Sequence, residues 1–548
     1  NLDRNFLNEL TAQEWTSIAR DIQSRLTDSV IETAVRRMPP EAFKVSGAEL
    51  VAKLKSRRNQ IVAASTTYYK VLAREVTIVG SDRNDRFKIS KYPDSLRVTY
   101  IDQEGNKLFN RTFRYSETRE INLFARGGKD SIVIDGDAEN ASLIRIVGGD
   151  DIDVVIDRST SGKTLVFDRK DEENKYQLGR KAKLRLSAGE WVNQYTPDSF
   201  EYDVNSPVPA VDFNSDDGIF LGLGYVWRHH GFRDAASSTV QSISGRFAPK
   251  TSAHAVKYQA AYYSLFGHRS DLLANVSYNG PQYTFNYYGE GNSTLNVGDD
   301  VDYFRIRTKN ISIASFFQYR PTKIFKLGIG PGYEYYRVER PADRYVSSPT
   351  FPERQEIMDP SYYGTLRSYL IFNLVDDDNF PTSGARWRTE ATYFREFSRG
   401  DDNFTQIKSQ FTFYATPNFN FPVTAAFQFG GAVNLGDYKF FQSNSLGGNT
   451  FLRGYRNNRF AGRSYIFQNS ELRFRVTHFR NYLFTGNLGV FGFFDSGRVF
   501  TGNPESAEWH KGYGPGIWVN FYNKFMVSSG YGISQEGKYF TFRTGISF

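Results

Sequence analysis

The chain has 548 residues, no cysteine, 68 lysines and arginines against 60 aspartates and glutamates, and a net charge of +8. This length predicts more than one structural unit, the absent cysteines exclude disulfides and thiolate metal sites, and the even mixing of charge argues against a nucleic-acid-binding stripe. No run of 18 apolar residues exists, so no membrane-spanning helix is expected, a test that a β-barrel passes unseen. The first residue is Asn1, with no Met and no apolar leader, as expected of a mature or trimmed protein. Residues 1–75 predict a helical segment. "TAQE" (Thr11–Glu14) and "SGAE" (Ser46–Glu49) have the capping-box pattern, and Pro39-Pro40 separates the two stretches. A small bundle or a linker to an upstream domain fits this segment better than a catalytic role.

Residues 76–205 turn to short β-rich runs and predict a small solenoid-like domain. "GGKDSIVIDG" (Gly127–Gly136) and "GGDDIDVVID" (Gly148–Asp157) repeat at a spacing of 21 residues, as stacked turns of a parallel β-structure would. The second copy approximates a calcium-roll repeat. Asp150, Asp151 and Asp153 are therefore candidates for a calcium site, beside the alternative that they are solvated turn residues.

From about residue 215 to the end, long runs alternate apolar and polar positions between Asp, Asn, Gly and Pro turns. In "KYFTFRTGISF", Phe540, Phe542, Ile546 and Phe548 share one face, and Tyr539, Thr541 and Arg543 the other. Between 465 and 477, Ile466, Leu472, Phe474 and Val476 oppose Asn469, Glu471, Arg473 and Arg475. Runs of ten or more residues suit a tilted spanning strand, which needs about 9–11. Aromatic residues make up 16% of the chain, the content that interfacial girdles require. Sixteen runs are counted, the first at 217–227, the fourth and fifth at 270–279 and 281–288, and the last at 537–548. The predicted fold is mainly β: a 16-stranded antiparallel transmembrane β-barrel over 215–548, preceded by the helical segment and the small β-rich domain.

The segment 437–463, between the eleventh and twelfth runs, contains Leu452-Arg453-Gly454-Tyr455. The next run, "QNSELRF", carries Glu471, and the one after, "FGFFDSG", carries Phe493, Asp495 and Gly497. With this combination, residues 215–548 resemble the bacterial surface antigen family, the BamA–TamA type of outer-membrane assembly and translocation barrel. The resemblance implies that the [V/L]-R-G-[F/Y] motif sits on a sixth extracellular loop folded back into the lumen. It also implies an inward glutamate at 471, an F-x-D-x-G motif ending at Gly497, and a terminal aromatic at Phe548. The βααββ modules that usually precede such barrels are not evident in residues 1–200, and Arg543 stands where the terminal strand usually has glycine. Alternation agrees with the clamp. Two inward carboxylates on adjacent strands repel unless a cation lies between them, and the arginine fork can bond both. Arg453, Gly454, Tyr455, Glu471, Asp495 and Gly497 are thus the expected lumenal loop clamp.

The family resemblance implies insertion or translocation of polypeptides through a weak seam between first and last strands, with Gly222, Gly545 and Phe548 at that seam. Gly218 and Gly224 are expected to weaken the first strand further. The alternative is a passive pore, or a membrane anchor for a periplasmic domain, phosphoesterase-like and upstream of Asn1. Implied partners are outer-membrane lipids, unfolded outer-membrane or secreted polypeptides, and periplasmic accessory proteins, with the N-terminal region in the periplasm; no nucleic acid is expected. An enzyme is not expected within these residues: the six histidines have no H-x-x-x-H spacing and no G-x-S-x-G elbow occurs. No cofactor is expected beyond the calcium candidate.

Overall fold

The computed structural model describes residues 2–187, 193–197, 201–230, 232, 237–267, 269–294, 301–339, 342–349, 351, 359–398, 403–418, 423–481, 484–502, 507–522 and 525–544. Two compact units result: Asn1–Glu201 with Phe232–Ala235, and Tyr202–Gly231 with Ala236–Phe548.

The first unit opens with the short helix Leu2–Phe6 and then three longer helices, Ala12–Arg25, Asp28–Val35 and Pro40–Ala73. Thr11 and Glu14 form the expected capping box. "SGAE" does not open a helix. The third longer helix already starts at Pro40, where a missing N–H costs nothing, and the Ser46 hydroxyl donates to Ala42 O within it, at 3.1 Å. This helix leads directly into a parallel β-roll. One sheet stacks Glu75–Val79, Glu120–Arg126, Leu143–Gly149, Thr164–Arg169 and Ala182–Ser187. The other stacks Arg86–Lys91, Ser131–Asp135, Val154–Asp157 and Lys175–Gln177, with the hairpin Ser95–Ile101/Lys107–Arg114 added antiparallel at its far edge. Successive strands alternate between the sheets, so each coil adds one rung to both. The core between them is aliphatic, with Ile121, Leu123, Ile132, Ile134, Ile144 and Ile146 fully buried.

The stacking register corrects the 21-residue repeat. Arg126 lies opposite Gly149 and Ser131 opposite Val154, an offset of 23. Positive φ occurs at matching positions, Arg126 with Gly149 (81° and 115°) and Gly128 with Asp151 (98° and 77°). Asp151 therefore replaces a left-handed glycine, a conformation that Asp tolerates better than most residues.

The second unit is one long antiparallel sheet of seventeen segments. Its first two, Val204–Pro209 and Asp212–Asn214, continue a single register along Gly218–His230. Counted as one interrupted strand, they leave sixteen. The expected number holds, but two assignments change. The first strand is 204–214, ahead of the run at 217–227, and residues 270–286 are one strand, Ser270–Asn286, with its register shifting between Asn279 and Tyr283. The strands Gly218–His230 through Phe525–Ser534 have 10 to 17 residues, long enough to span. Polarity is inverted relative to a water-soluble fold. Along Ser464–Arg480, Ile466, Leu472 and Val476 are exposed, while Asn469, Glu471 and Arg473 are buried. Phe411, Phe413, Phe427 and Phe429 are likewise exposed, beside buried Thr412 and Gln428. An apolar outer face around a charged interior is what a surrounding hydrocarbon phase selects. The first and last strands meet edge-on at Phe213 and Phe540, whose ring centroids are 5.7 Å apart.

Candidate functional site

The connection between Val423–Gly436 and Ser464–Arg480 folds into the barrel as a loop with its own short hairpin, Asn444–Leu446 paired with Phe460–Gly462. Gly447, Gly448 and Gly454 have φ of 129°, 74° and 97°, which lets the chain reverse between the hairpin arms. Leu446, Leu452, Tyr455 and Phe460 pack against Tyr465, Phe467 and Val499 of the wall and exclude water from the tip.

Arg453 enters this dry place and meets both expected carboxylates. Its Nε donates to Asp495 Oδ2 at 2.7 Å, Nη2 to Asp495 Oδ1 at 2.6 Å, and Nη1 to Glu471 Oε1. The Arg453 main-chain N–H adds a bond to Asp495 Oδ2 at 3.0 Å. The guanidinium carbon stands 3.7 Å from the centroid of the Phe493 ring. Arg473 closes the other side, its Nη2 lying 2.8 Å from Glu471 Oε2. Side-chain exposure is 3% for Arg453, 2% for Glu471 and 0% for Asp495. The cluster is therefore a desolvated network of two cations and two anions, each carboxylate bonded to an arginine.

Gly454 and Tyr455 belong to the tip. The Ser534 hydroxyl donates to Gly454 O, and the Tyr455 ring stacks edge-on to His510 with centroids 5.9 Å apart. Gly497 lies outside the ionic cluster. A Cβ there would come 2.8 Å from Leu446 Cδ1, so its role is clearance for the loop. Gly222 is not at the seam. It lies on the second strand, paired with Arg246 on one side and accepting the Ala210 N–H on the other. Gly545 and Phe548 lie outside the described residues.

The fold also brings together residues that sequence reasoning missed. Gly512 and Gly532, on His510–Phe521 and Phe525–Ser534, form the seat of the tip: added Cβ atoms would stand 1.8 Å from Arg453 O and 2.5 Å from Gly454 N. Three further loop cations find carboxylates. Lys439 Nζ is 2.6 Å from Glu396 Oε1, Arg459 Nη2 is 2.7 Å from Glu536 Oε1, and Arg456 Nη1 is 3.3 Å from Asp216 Oδ1. A signal existed, since residues 437–463 hold five basic residues against one acid, Asp437. A cavity of about 510 Å³ lies between the loop and the meeting of first and last strands, lined in part by Phe213, Asn214, Thr450, Asn457, Phe542 and Arg543.

In the first unit, the three calcium candidates do not converge. Asp150 pairs with Arg169 at 2.9 Å, Asp151 Oδ2 accepts the Gly128 N–H at 3.3 Å, and Asp153 turns inward. No cluster of three or more His, Asp or Glu able to hold a metal occurs among the described residues. Asp153 instead belongs to a column running through successive coils. The N–H groups of Ser81, Asp85, Asp130 and Asp153 donate to Asp85, Asp130, Asp153 and Asn174 respectively, at 2.7 to 2.9 Å. Burial, followed by neighbouring carboxylates, pushes Asp130 up to about 9 and Asp153 up to about 8; burial also pushes Asp168 up to about 6.

The family model for the Omp85 superfamily domain matches residues 241–536, more than half of the chain. The chain belongs to the Omp85 superfamily. No curated protein sequence matches it. Three solved structures similar to this Omp85 barrel are BamA from Haemophilus ducreyi lacking POTRA domains 1–3, and CdiB from Acinetobacter baumannii and from Escherichia coli. The BamA structure is 16% identical over 63% of this chain and 71% of that one, with a TM-score of 0.45. The Acinetobacter CdiB is 12% identical over 62% and 59%, TM-score 0.41, and the Escherichia CdiB 11% over 67% and 65%, TM-score 0.43. The chain thus spans less than two thirds of the length of either CdiB. As a member of the superfamily it is an outer-membrane β-barrel.

Proposed function

We propose that this Omp85 barrel inserts or translocates polypeptides at the outer membrane by parting its first and last strands, with the N-terminal unit in the periplasm. The observation that carries this reading is the chemistry of the first strand's free edge. Ala210 N–H donates to Gly222 O at 3.0 Å, so alternate residues of this strand face its neighbour and the positions between them face the seam. Two of those seam-facing positions are Pro207 and Pro209, which have no N–H to give. A ladder to the last strand would lack donors at both, and such pairing opens at lower cost than a complete one. Among the described residues no backbone ladder joins the two strands. A passive pore accords less well with the seated loop, whose four paired cations occupy the lumen.

The test uses the absence of native cysteine. Phe213→Cys with Phe540→Cys places two thiols where rings now touch. The oxidised protein is expected to fail in complementing a depleted strain for assembly of other outer-membrane proteins, and reduction is expected to restore it. Normal assembly by fully crosslinked protein would refute strand parting.

A further inference from the structure

The last coil of the β-roll ends in two edge strands. Among the described residues, Lys175–Gln177 pairs only with Val154–Asp157, and Ala182–Ser187 only with Thr164–Arg169. Between 175 and 187 the chain carries Lys175, Arg180, Lys181, Lys183 and Arg185 and no acid. All five are exposed, and none is paired with a carboxylate among the described residues. The preceding coil differs: there Arg169 is held by Asp150, Asp171 and Glu172. Leu184 and Leu186, exposed at 39% and 43%, stand on the opposite face of the edge strand from Lys183 and Arg185. One lysine suffices to discourage edge-to-edge pairing; five unpaired cations beside two bare leucines make a cationic, amphipathic rim. A second copy of the same rim would be repelled by its own charge.

We propose that this rim rests on the anionic phospholipid surface of the membrane that holds the barrel. Charge complementarity selects phosphate-bearing headgroups, and the leucines suit the boundary between headgroups and acyl chains. Connectivity permits the contact. The first unit runs to Glu201 and the first spanning strand begins at Val204. Attraction of this kind fades beyond a Debye length, about 8 Å at physiological salt, so the rim must lie on the surface for the charges to act.

The full chain is reconstituted in vesicles of phosphatidylcholine alone or with three parts in ten phosphatidylglycerol, both containing headgroup-spin-labelled lipid. A fluorophore on Gln177→Cys reports approach, and one on Gln103→Cys, in the turn at the far edge of the same sheet, serves as reference. Quenching at 177 is expected to be at least twofold stronger in the anionic vesicles, to fall in 0.5 M salt, and to disappear in Lys181→Glu/Lys183→Glu/Arg185→Glu, whose barrel remains heat-modifiable. Equal quenching in both vesicle types, equal quenching at 177 and 103, or quenching unchanged by charge reversal would overturn the proposal. Protection of position 177 only on adding an acidic polypeptide would overturn it too, in favour of a protein partner.

Discussion

Replacing Arg453 with alanine removes one cation from a network whose carboxylates are both buried. Asp495 loses three bonds, two from the guanidinium and one from an N–H whose position depends on the seated tip; Glu471 loses the Arg453 contact and keeps Arg473. Breaking a buried pair by deleting one partner costs about 3–5 kcal/mol, because the remaining charge is left in low dielectric. The lipid-facing surface is untouched, so the cost falls on loop seating: the equilibrium for lifting 437–463 rises by about a hundredfold to a few thousandfold. Limited proteolysis and hydrogen exchange over 437–463, on protein that retains heat-modifiability, read this directly. Arg453→Lys should also fail, since an ammonium cannot bond Asp495 in two parallel contacts while reaching Glu471. Adding Asp495→Asn to Arg453→Ala, which leaves the balanced pair Glu471–Arg473 in place, should restore part of the lost protection, because the penalty lies in orphaned charge. Unchanged protection in Arg453→Ala, or no recovery in the double variant, would refute the network as the loop's anchor.

Gly512→Ala places a Cβ against Arg453 O, a main-chain atom that cannot swing aside. Overpacking of this kind costs about 1–3 kcal/mol, so loop protection should drop by about tenfold without any charge being changed; full protection would mean that the tip seats elsewhere. In the β-roll, unfolded aspartates titrate near 3.8 and folded Asp130 near 9. Its folded pKa is raised, so its stabilising share is complete below about pH 4 and is lost as pH rises towards 9. The lower calorimetric transition of the full chain should therefore fall by about 3–5 °C between pH 7 and 8, at about 1.4 kcal/mol for one group over one unit. Asp130→Asn, which keeps the acceptor for the Asp85 N–H just as Asn174 does for Asp153, should reduce that slope and leave the share of Asp153, which is also raised; an unaltered slope would show that Asp130 is not a titrating group.

Period-two alternation in runs of ten or more residues, with the high aromatic content, determined the barrel, because a strand between lipid and a polar lumen must sort its side chains at every second residue over a length that spans. It also placed Glu471, Arg473 and Asp495 on the inner face, and charge balance then required a cation such as Arg453. The same periodicity hid what tertiary structure decided. A shift of two residues preserves the in-out pattern, so the two copies at 127–136 and 148–157 read as 21 apart by their glycines but stack at 23, and Asp153 leaves the turn for a buried column. Residues 206–214 fell between the two predicted domains, although a strand with one free edge tolerates Pro207 and Pro209 when the missing N–H faces that edge; the seam thus moved from Gly222 to the strand before it. Lys439 meets Glu396, Arg459 meets Glu536 and Gly512 meets Arg453 O only after the wall has curved round the loop. Those contacts join strands far apart in the chain, where spacing carries no signal and only closure of the cylinder sets the distance.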